Sequence, residues 1–296
     1  MSILKRIRKS EALTAWMFLI PGLFLLCVFV FYPIIFSVPL AFTNYSVIDK
    51  TKFIGFDNFK KAFNDPDFIV AVINSLKYII IVPIIQVLSI FMAILINSNV
   101  KGIKIFRVTF YIPVVTSMVA VAIIWGWLFS PDGMVNYIFL SLGLIHSKIS
   151  WLSQSQTALW CTMFVTLWKG LGYYMMIYLA GLQSVPKELE EAATVDGATN
   201  FQKIRLITMP LLKPYIFFCS LMSLMAAIRV FDEVFVLTNG GPGNATLTTS
   251  LFIYNKGFIN FDFGYAAAVG LLVSIIIMIL SIVAFIFNKK GGVNPY

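Results

Sequence analysis

From Ala12 to Ile48 the chain runs without a single Asp, Glu, Lys, Arg or His, through residues that are mostly Leu, Ile, Val, Phe and Ala. Such a run cannot lie exposed in water, and it is too long for the interior of a small soluble domain. Uncharged runs recur at Tyr78–Val100, Val108–Pro131 and Phe263–Asn288, and two more apolar stretches follow Thr157 and Pro214. A helix needs ~20 residues to cross a bilayer, and in hydrocarbon every backbone polar group must be satisfied within the segment. The expected fold is therefore an all-α membrane protein with six transmembrane helices, at about 14–36, 76–98, 108–129, 157–182, 214–237 and 264–287.

Composition agrees: 59% of the residues are hydrophobic, 12% are charged, and the mean hydropathy is +0.89. The net charge of +9 raises nucleic acid as a partner, but no basic patch interleaved with aromatics occurs, and basic loops flanking apolar spans explain the excess. No nucleic-acid partner is expected. Cys27, Cys161 and Cys219 each sit alone in apolar runs, away from any His or second Cys at ligand spacing, so neither a metal site nor a disulfide framework is read from them. The first apolar run is far longer than the core of a signal peptide and has no small-x-small site at its centre, so helix 1 is read as retained.

Between the crossings, Asn44 to Asn74 reads as a loop with a short helix at Asn58–Phe63 before an Asp65-Pro66 turn, and kinks are expected at Pro83 and Pro113. Ala266 and Gly270 form a small-xxx-small pair in helix 6. With both termini on one side, that side holds 13 basic residues, among them Lys5, Arg6, Arg8, Lys9, Lys101 and Lys289, against 7 on the other. The bias places both termini, and the segment 183–213 between helices 4 and 5, in the cytoplasm of a multi-pass protein.

That segment is among the most polar in the chain. Glu188, Glu190 and Glu191 follow Pro186, where negative charge complements the positive end of a helix, and Ala192 and Ala193 are small enough to enter a groove. Asp196-Gly197 signals a turn, Thr199 is placed to cap a second short helix reaching Thr208, and Pro210 is expected to end it. The pattern suits a helix-turn-helix laid against a partner surface, with a loop resting on lipid headgroups as the alternative.

EAATVDGATNFQKIRLITMPLLKP resembles the EAA loop of the membrane subunits of ATP-binding-cassette importers, in the subgroup of maltose and multiple-sugar permeases. FIGFDNFKKAF, LQSVPKELEEAA, VLTNGGPGNATLT and YNKGF extend the resemblance over nearly the whole chain. It implies the type I importer permease fold as a single permease domain, residues 1–296, in the bacterial cell membrane. It further implies that Glu191, Ala192, Ala193, Asp196, Gly197 and Pro210 couple the chain to an ATP-binding-cassette ATPase dimer, which binds ATP and Mg while this chain binds no cofactor. The remaining implied partners are a homologous second permease subunit, an extracytoplasmic solute-binding protein, the carbohydrate substrate and membrane lipid. No Walker A pattern occurs in the chain.

Aromatic and hydroxyl side chains are candidates for a sugar pathway: Trp125, Trp168, Tyr173 and Tyr174 by type, and Ser223, Ala227 and Val230 by resemblance to sugar-facing positions of the maltose permease. Ala227 and Val230 replace polar side chains there, which argues against maltose itself. Arg229 is expected to pair with Asp232 or Glu233 at helical spacing, and Lys169 either lines the cavity or reaches a carbonyl of another helix. The rivals are import of glycerol phosphate or a related polyol ester and, in a different class, a secondary transporter or membrane-embedded enzyme. HExxH and GxSxG are absent, and His146 is the single histidine.

Overall fold

The computed structural model describes residues 11–47, 50–97 and 102–290, the side chains of 11, 12 and 287–290 excepted. The basic residues at Lys5–Lys9 and Lys101, the chain ends, and the last residue expected for helix 2 lie outside these. The described residues are helical, apart from loops and two isolated antiparallel bridges. Four helices are long and apolar enough to cross a membrane, or five if one bent pair counts as a crossing.

Contacts divide the chain into two compact units, residues 1–64 with 253–272 and residues 65–252 with 273–296. The first unit opens with α1 (Glu11–Leu26), a π turn (Cys27–Phe31) and α2 (Tyr32–Leu40). Together they form a span, Leu13–Leu40, longer than the expected 14–36. The π turn shifts the hydrogen-bond register just before Pro33, which has no N–H to offer. The helix expected near Asn58 is present as α3 (Asp57–Asn64). Asn58 is buried and its amide donates to the carbonyls of Ala41 (2.9 Å) and Thr43 (2.8 Å), which fastens α3 to the end of α2.

The loop expected up to Asn74 is corrected by the second unit. Asp65 is an N-cap whose carboxylate accepts from the N–H of Asp67 (3.0 Å), and Pro66 occupies the first turn, so the pair starts a helix rather than a turn. α4 (Pro66–Lys77) continues through a 3-10 turn into α5 (Ile81–Ile96), a 31-residue span that starts well before the expected residue 76. Helix 3 is also corrected. It is two helices, α6 (Ile103–Val115) and α7 (Met118–Leu128), bent by 102° at Thr116-Ser117, where the backbone is extended. Pro113 removes an internal N–H one turn before the break, and the Thr116 hydroxyl donates back to the Ile112 carbonyl (2.9 Å).

A further helix, α8 (Met134–Ser141), stands in the expected loop after helix 3. Asn136, 1% exposed, holds that region together: its amide donates to the carbonyls of Ser130, Pro131 and Ile149, and its carbonyl accepts from the N–H of Ile149 and the Trp151 ring.

α9 (Ala158–Gln183) is the central element of the second unit and falls within one residue of the expected 157–182. It packs against α5 and α6, and against two helices further on, α13 (Lys213–Ile228) and α14 (Asp232–Leu237). Ile85 and Ala93 of α5, Met175, Tyr178 and Leu179 of α9 and Cys219 of α13 form an apolar core. Between membrane helices, association comes from close packing and polar contacts rather than from water exclusion. Gly172 shows this directly: a Cβ built there would lie 2.0 Å from the Phe110 carbonyl oxygen, so α6 and α9 touch backbone to backbone. The chain closes with α15 (Thr249–Tyr254), a π turn (Asn255–Ile259) and α16 (Phe263–Lys290). Of the expected small-residue pair in α16, Ala266 is buried, whereas a Cβ added at Gly270 would meet nothing within 4 Å.

Candidate functional site

The segment after α9 folds by local rules. α10 (Lys187–Val195) carries Glu188 and Glu190 in its first turn. It ends at Gly197, whose φ of +79° is open to glycine at little cost; Ala198 N–H donates to Ala193 O (2.9 Å) and Gly197 N–H to Thr194 O (3.1 Å). Thr199 then caps α11 (Asn200–Lys203) in a reciprocal box: Gln202 N–H donates to the Thr199 hydroxyl and Thr199 N–H donates to the Gln202 side chain (2.7 Å). The part played by Gln202 was not anticipated, although T-x-x-Q is its signal.

Pro210 does not end this helix. A π turn (Ile204–Thr208) precedes α12 (Met209–Leu211), and Met209 N–H bonds the Ile204 carbonyl five residues back, so the helix passes a proline that cannot donate. Glu191, Ala192, Asp196, Gly197 and Pro210 are exposed and Ala193 is half-buried. Around them stand exposed apolar side chains, Val195 at 87% and Phe201 at 69%. A polar cavity of about 610 Å³ lies behind the segment, lined in part by Arg107, Lys187, Glu190, Glu191 and Lys203.

A second candidate region lies among α5, α6, α7, α9 and α13. A cavity of about 370 Å³ is lined by Thr166, Lys169, Gly170, Tyr173 and Tyr174 of α9, Ser223 and Ala227 of α13, and apolar side chains of α5, α6 and α7. Thus Tyr173, Ser223 and Ala227 line one cavity, and Lys169 both lines it and reaches a carbonyl, donating to Thr116 O (2.9 Å). Trp125 belongs to a separate apolar cavity of about 380 Å³ with Trp160 and Phe164, and Trp168 packs edge-on against it. Val230 is buried outside both, its carbonyl accepting from Thr248 (2.9 Å).

Ser223 is held by Gln86, a residue not anticipated. The Gln86 amide donates to the Ser223 hydroxyl (2.7 Å) and to Cys219 O (3.2 Å), while its carbonyl accepts from the Tyr178 hydroxyl. The Ser223 hydroxyl also lies 3.1 Å from Ser220 O, to which it can donate. A single Gln inside an apolar run was the available signal.

The expected pairing of Arg229 with Asp232 or Glu233 is not seen. The ion pairs among the described residues are Lys60–Asp57, Lys61–Asp262 and Lys148–Asp132. Arg229 caps the end of α13, where the helix breaks before α14, so helical spacing does not carry across; Glu233 is buried and accepts from Thr166 instead. In the loop region, the Lys148 ammonium beside Asp132 holds that carboxyl below the usual carboxylate range, first through its hydrogen bond and then through its charge.

Fold and site together define a multi-pass helical membrane protein with a cavity between broken helices and an exposed polar helix-turn-helix. Residues 85–291 match the family described as binding-protein-dependent transport system inner membrane component, and the chain belongs to that family. It is 36% identical to the probable ABC transporter permease protein YurN of Bacillus subtilis, across 93% of this chain and 96% of that protein. It is 34% identical to the lactose transport system permease protein LacF of Rhizobium radiobacter, across 94% and 95%. A crystal structure of a bacterial ABC transporter involved in the import of the acidic polysaccharide alginate superposes with a TM-score of 0.84 at 26% identity, over 98% of this chain and 99% of that one. The chain is thus a transporter permease subunit of the type I importer fold, and not an enzyme.

Proposed function

We propose that this chain is a permease subunit of an ATP-driven, binding-protein-dependent importer of carbohydrate, oligosaccharide in particular, working by alternating access as one permease domain over residues 1–296. Support for the substrate class comes from relatives named for lactose, multiple sugars and arabinooligosaccharides, and from the alginate transporter, one structure of which holds a pentasaccharide-bound periplasmic protein. In this reading α9 supplies a sixth crossing: its 26 residues are long enough, and its apolarity is diluted by Lys169, glycines and tyrosines that serve the cavity. Both termini and the segment 183–213 face the cytoplasm.

The observation that carries the coupling role is the exposure of Val195 and Phe201 on either side of the Asp196-Gly197 turn, an apolar tip on a polar loop that a protein groove would cover. Glu191, Ala192, Ala193, Asp196 and Gly197 then dock on an ATPase dimer that binds ATP and Mg, while Pro210 sits in the strut leading back to α13. A homologous second permease completes the pathway, and a solute-binding protein delivers the sugar outside. Tyr173, Ser223 and Ala227 line this chain's half of the route, and Trp125 and Trp168 flank it. Lys169 favours a second reading, a polyol phosphate, because an ammonium on the cavity wall suits an anion.

The test is the ATPase rate of the reconstituted complex as its binding protein is added with oligosaccharides, monosaccharides or glycerol phosphates. Stimulation by a sugar class supports the reading and stimulation by a phosphate ester supports the second. Uptake by vesicles without ATP refutes both.

A further inference from the structure

We infer that the polar cavity behind α10 is a binding site for the headgroup of a membrane lipid of the zwitterionic phosphoethanolamine type. The cavity, about 610 Å³, is walled by the end of α9, by α10 and α11, by Asn97 just past α5 and by Arg107 of α6. Its depth follows from Arg107. That residue sits in the second turn of α6, and its guanidinium donates to the carbonyl of Ile96 (2.8 Å), the last residue of the apolar span Pro66–Ile96. An arginine at the edge of hydrocarbon lays its stem along apolar surface and carries its charge to the headgroup layer. The cavity lies at that level.

The charges decide what the cavity suits. Arg107, Lys187 and Lys203 line it together with Glu190 and Glu191, three cations against two carboxylates. None of the five belongs to an ion pair among the described residues, and Arg107 Nε is buried without an acceptor. With ~3.6 residues per turn, Lys187, Glu190, Glu191 and Thr194 fall on one face of α10, Glu191 at the edge nearest Val195 and Ala192 on the opposite side. The face toward the cavity is therefore distinct from the one left for the ATPase. Opposite charges that face one space without meeting suit an occupant carrying both signs. A lone phosphate would satisfy the cations and be repelled by the carboxylates, and a neutral sugar would compensate neither. A phosphoethanolamine group offers a phosphate to Arg107 and, a short linker away, an ammonium to Glu190. On α6 beside Arg107, Val108 is 60% and Tyr111 41% exposed, an apolar surface along which the acyl chains can lie.

The experiment uses the complete transporter, extracted in mild detergent and offered equal amounts of ethanolamine, choline and glycerol phospholipids with identical acyl chains. Lipid retained by the intact complex is counted by native mass spectrometry. Ethanolamine lipid should be retained over choline lipid about tenfold, as one charge-assisted hydrogen bond would give, because the trimethylated headgroup cannot donate to Glu190. Arg107→Gln should remove this retained lipid, and Glu190→Gln should bring the ethanolamine and choline lipids level. Lys203→Gln, a change on the loop wall that leaves the helix packing alone, should weaken retention of both alike and serves if Arg107→Gln does not assemble. Equal retention of the three lipids by the wild type, a preference for the glycerol lipid, or retention unchanged by the Arg107 and Lys203 variants overturns the site. Soluble phosphoethanolamine retained in place of lipid overturns the lipid as its source. A complex that retains no lipid, its cavity filled by water or covered by another subunit, overturns the proposal outright.

Discussion

The 187–211 segment and the wall of the first cavity follow opposite rules. The segment is exposed, and contacts within a few residues of one another define its turn: the αL glycine at 197, the Thr199–Gln202 box, and the Lys203 ammonium on the Thr194 hydroxyl (3.2 Å). The cavity wall is set by residues far apart in sequence, such as Gln86 with Ser223 and Lys169 with Thr116. A segment that encodes its own shape can be handed to a partner without depending on the rest of the fold. A wall assembled from distant helices changes whenever those helices move, which is what a transport cycle asks of it.

Two glycines break this comparison most sharply. Gly172→Val would drive a side chain into the Phe110 carbonyl, a backbone atom that cannot step aside. A loss of about 3 kcal/mol or more is expected, seen as absence of a monodisperse peak when the complex is extracted in detergent. Gly197→Val meets nothing within 4 Å and carries only the strain of its positive φ, about 1–2 kcal/mol confined to the turn. That chain should assemble normally yet lose stimulation of ATP hydrolysis by loaded binding protein. Normal stimulation would detach the segment from coupling.

Gln86→Leu tests the wall at smaller amplitude. It strands the buried Tyr178 hydroxyl, and thermal unfolding in detergent should show a loss of about 1–3 kcal/mol. Adding Tyr178→Phe should recover part of it, since the stranded hydroxyl is then gone; a further loss instead would mean that the network does not act as a unit.

The smallest effect is expected at Asp132 and Lys148, an exposed pair. The folded carboxyl lies below its ordinary range, so whatever stability it adds is present above the ordinary value and is lost as pH falls through the lowered one. At neutral pH, Asp132→Asn should leave the melting temperature within error of wild type, as exposed pairs contribute little.

Class, the limits of α9, the cap at Thr199 and the turn at Gly197 were legible because each depends on residues adjacent along the chain: uncharged length, a capping side chain, a residue that tolerates positive φ. Pro113 marked α6 as prone to kink, but a proline does not say how far the chain turns, and the 102° bend depends on what α6 and α7 pack against. The same holds for Pro210, which reads as a stop and is passed by a π turn. Arg229, Asp232 and Glu233 have helical spacing in the sequence, yet the break between α13 and α14 sends Glu233 to Thr166. By itself, then, the sequence determined a helical membrane protein with a self-capped polar loop, since hydropathy and local capping need no distant partner. Only the tertiary structure decided which polar side chains meet at the cavity, because in a low-dielectric interior each such group takes the nearest donor or acceptor that packing brings to it.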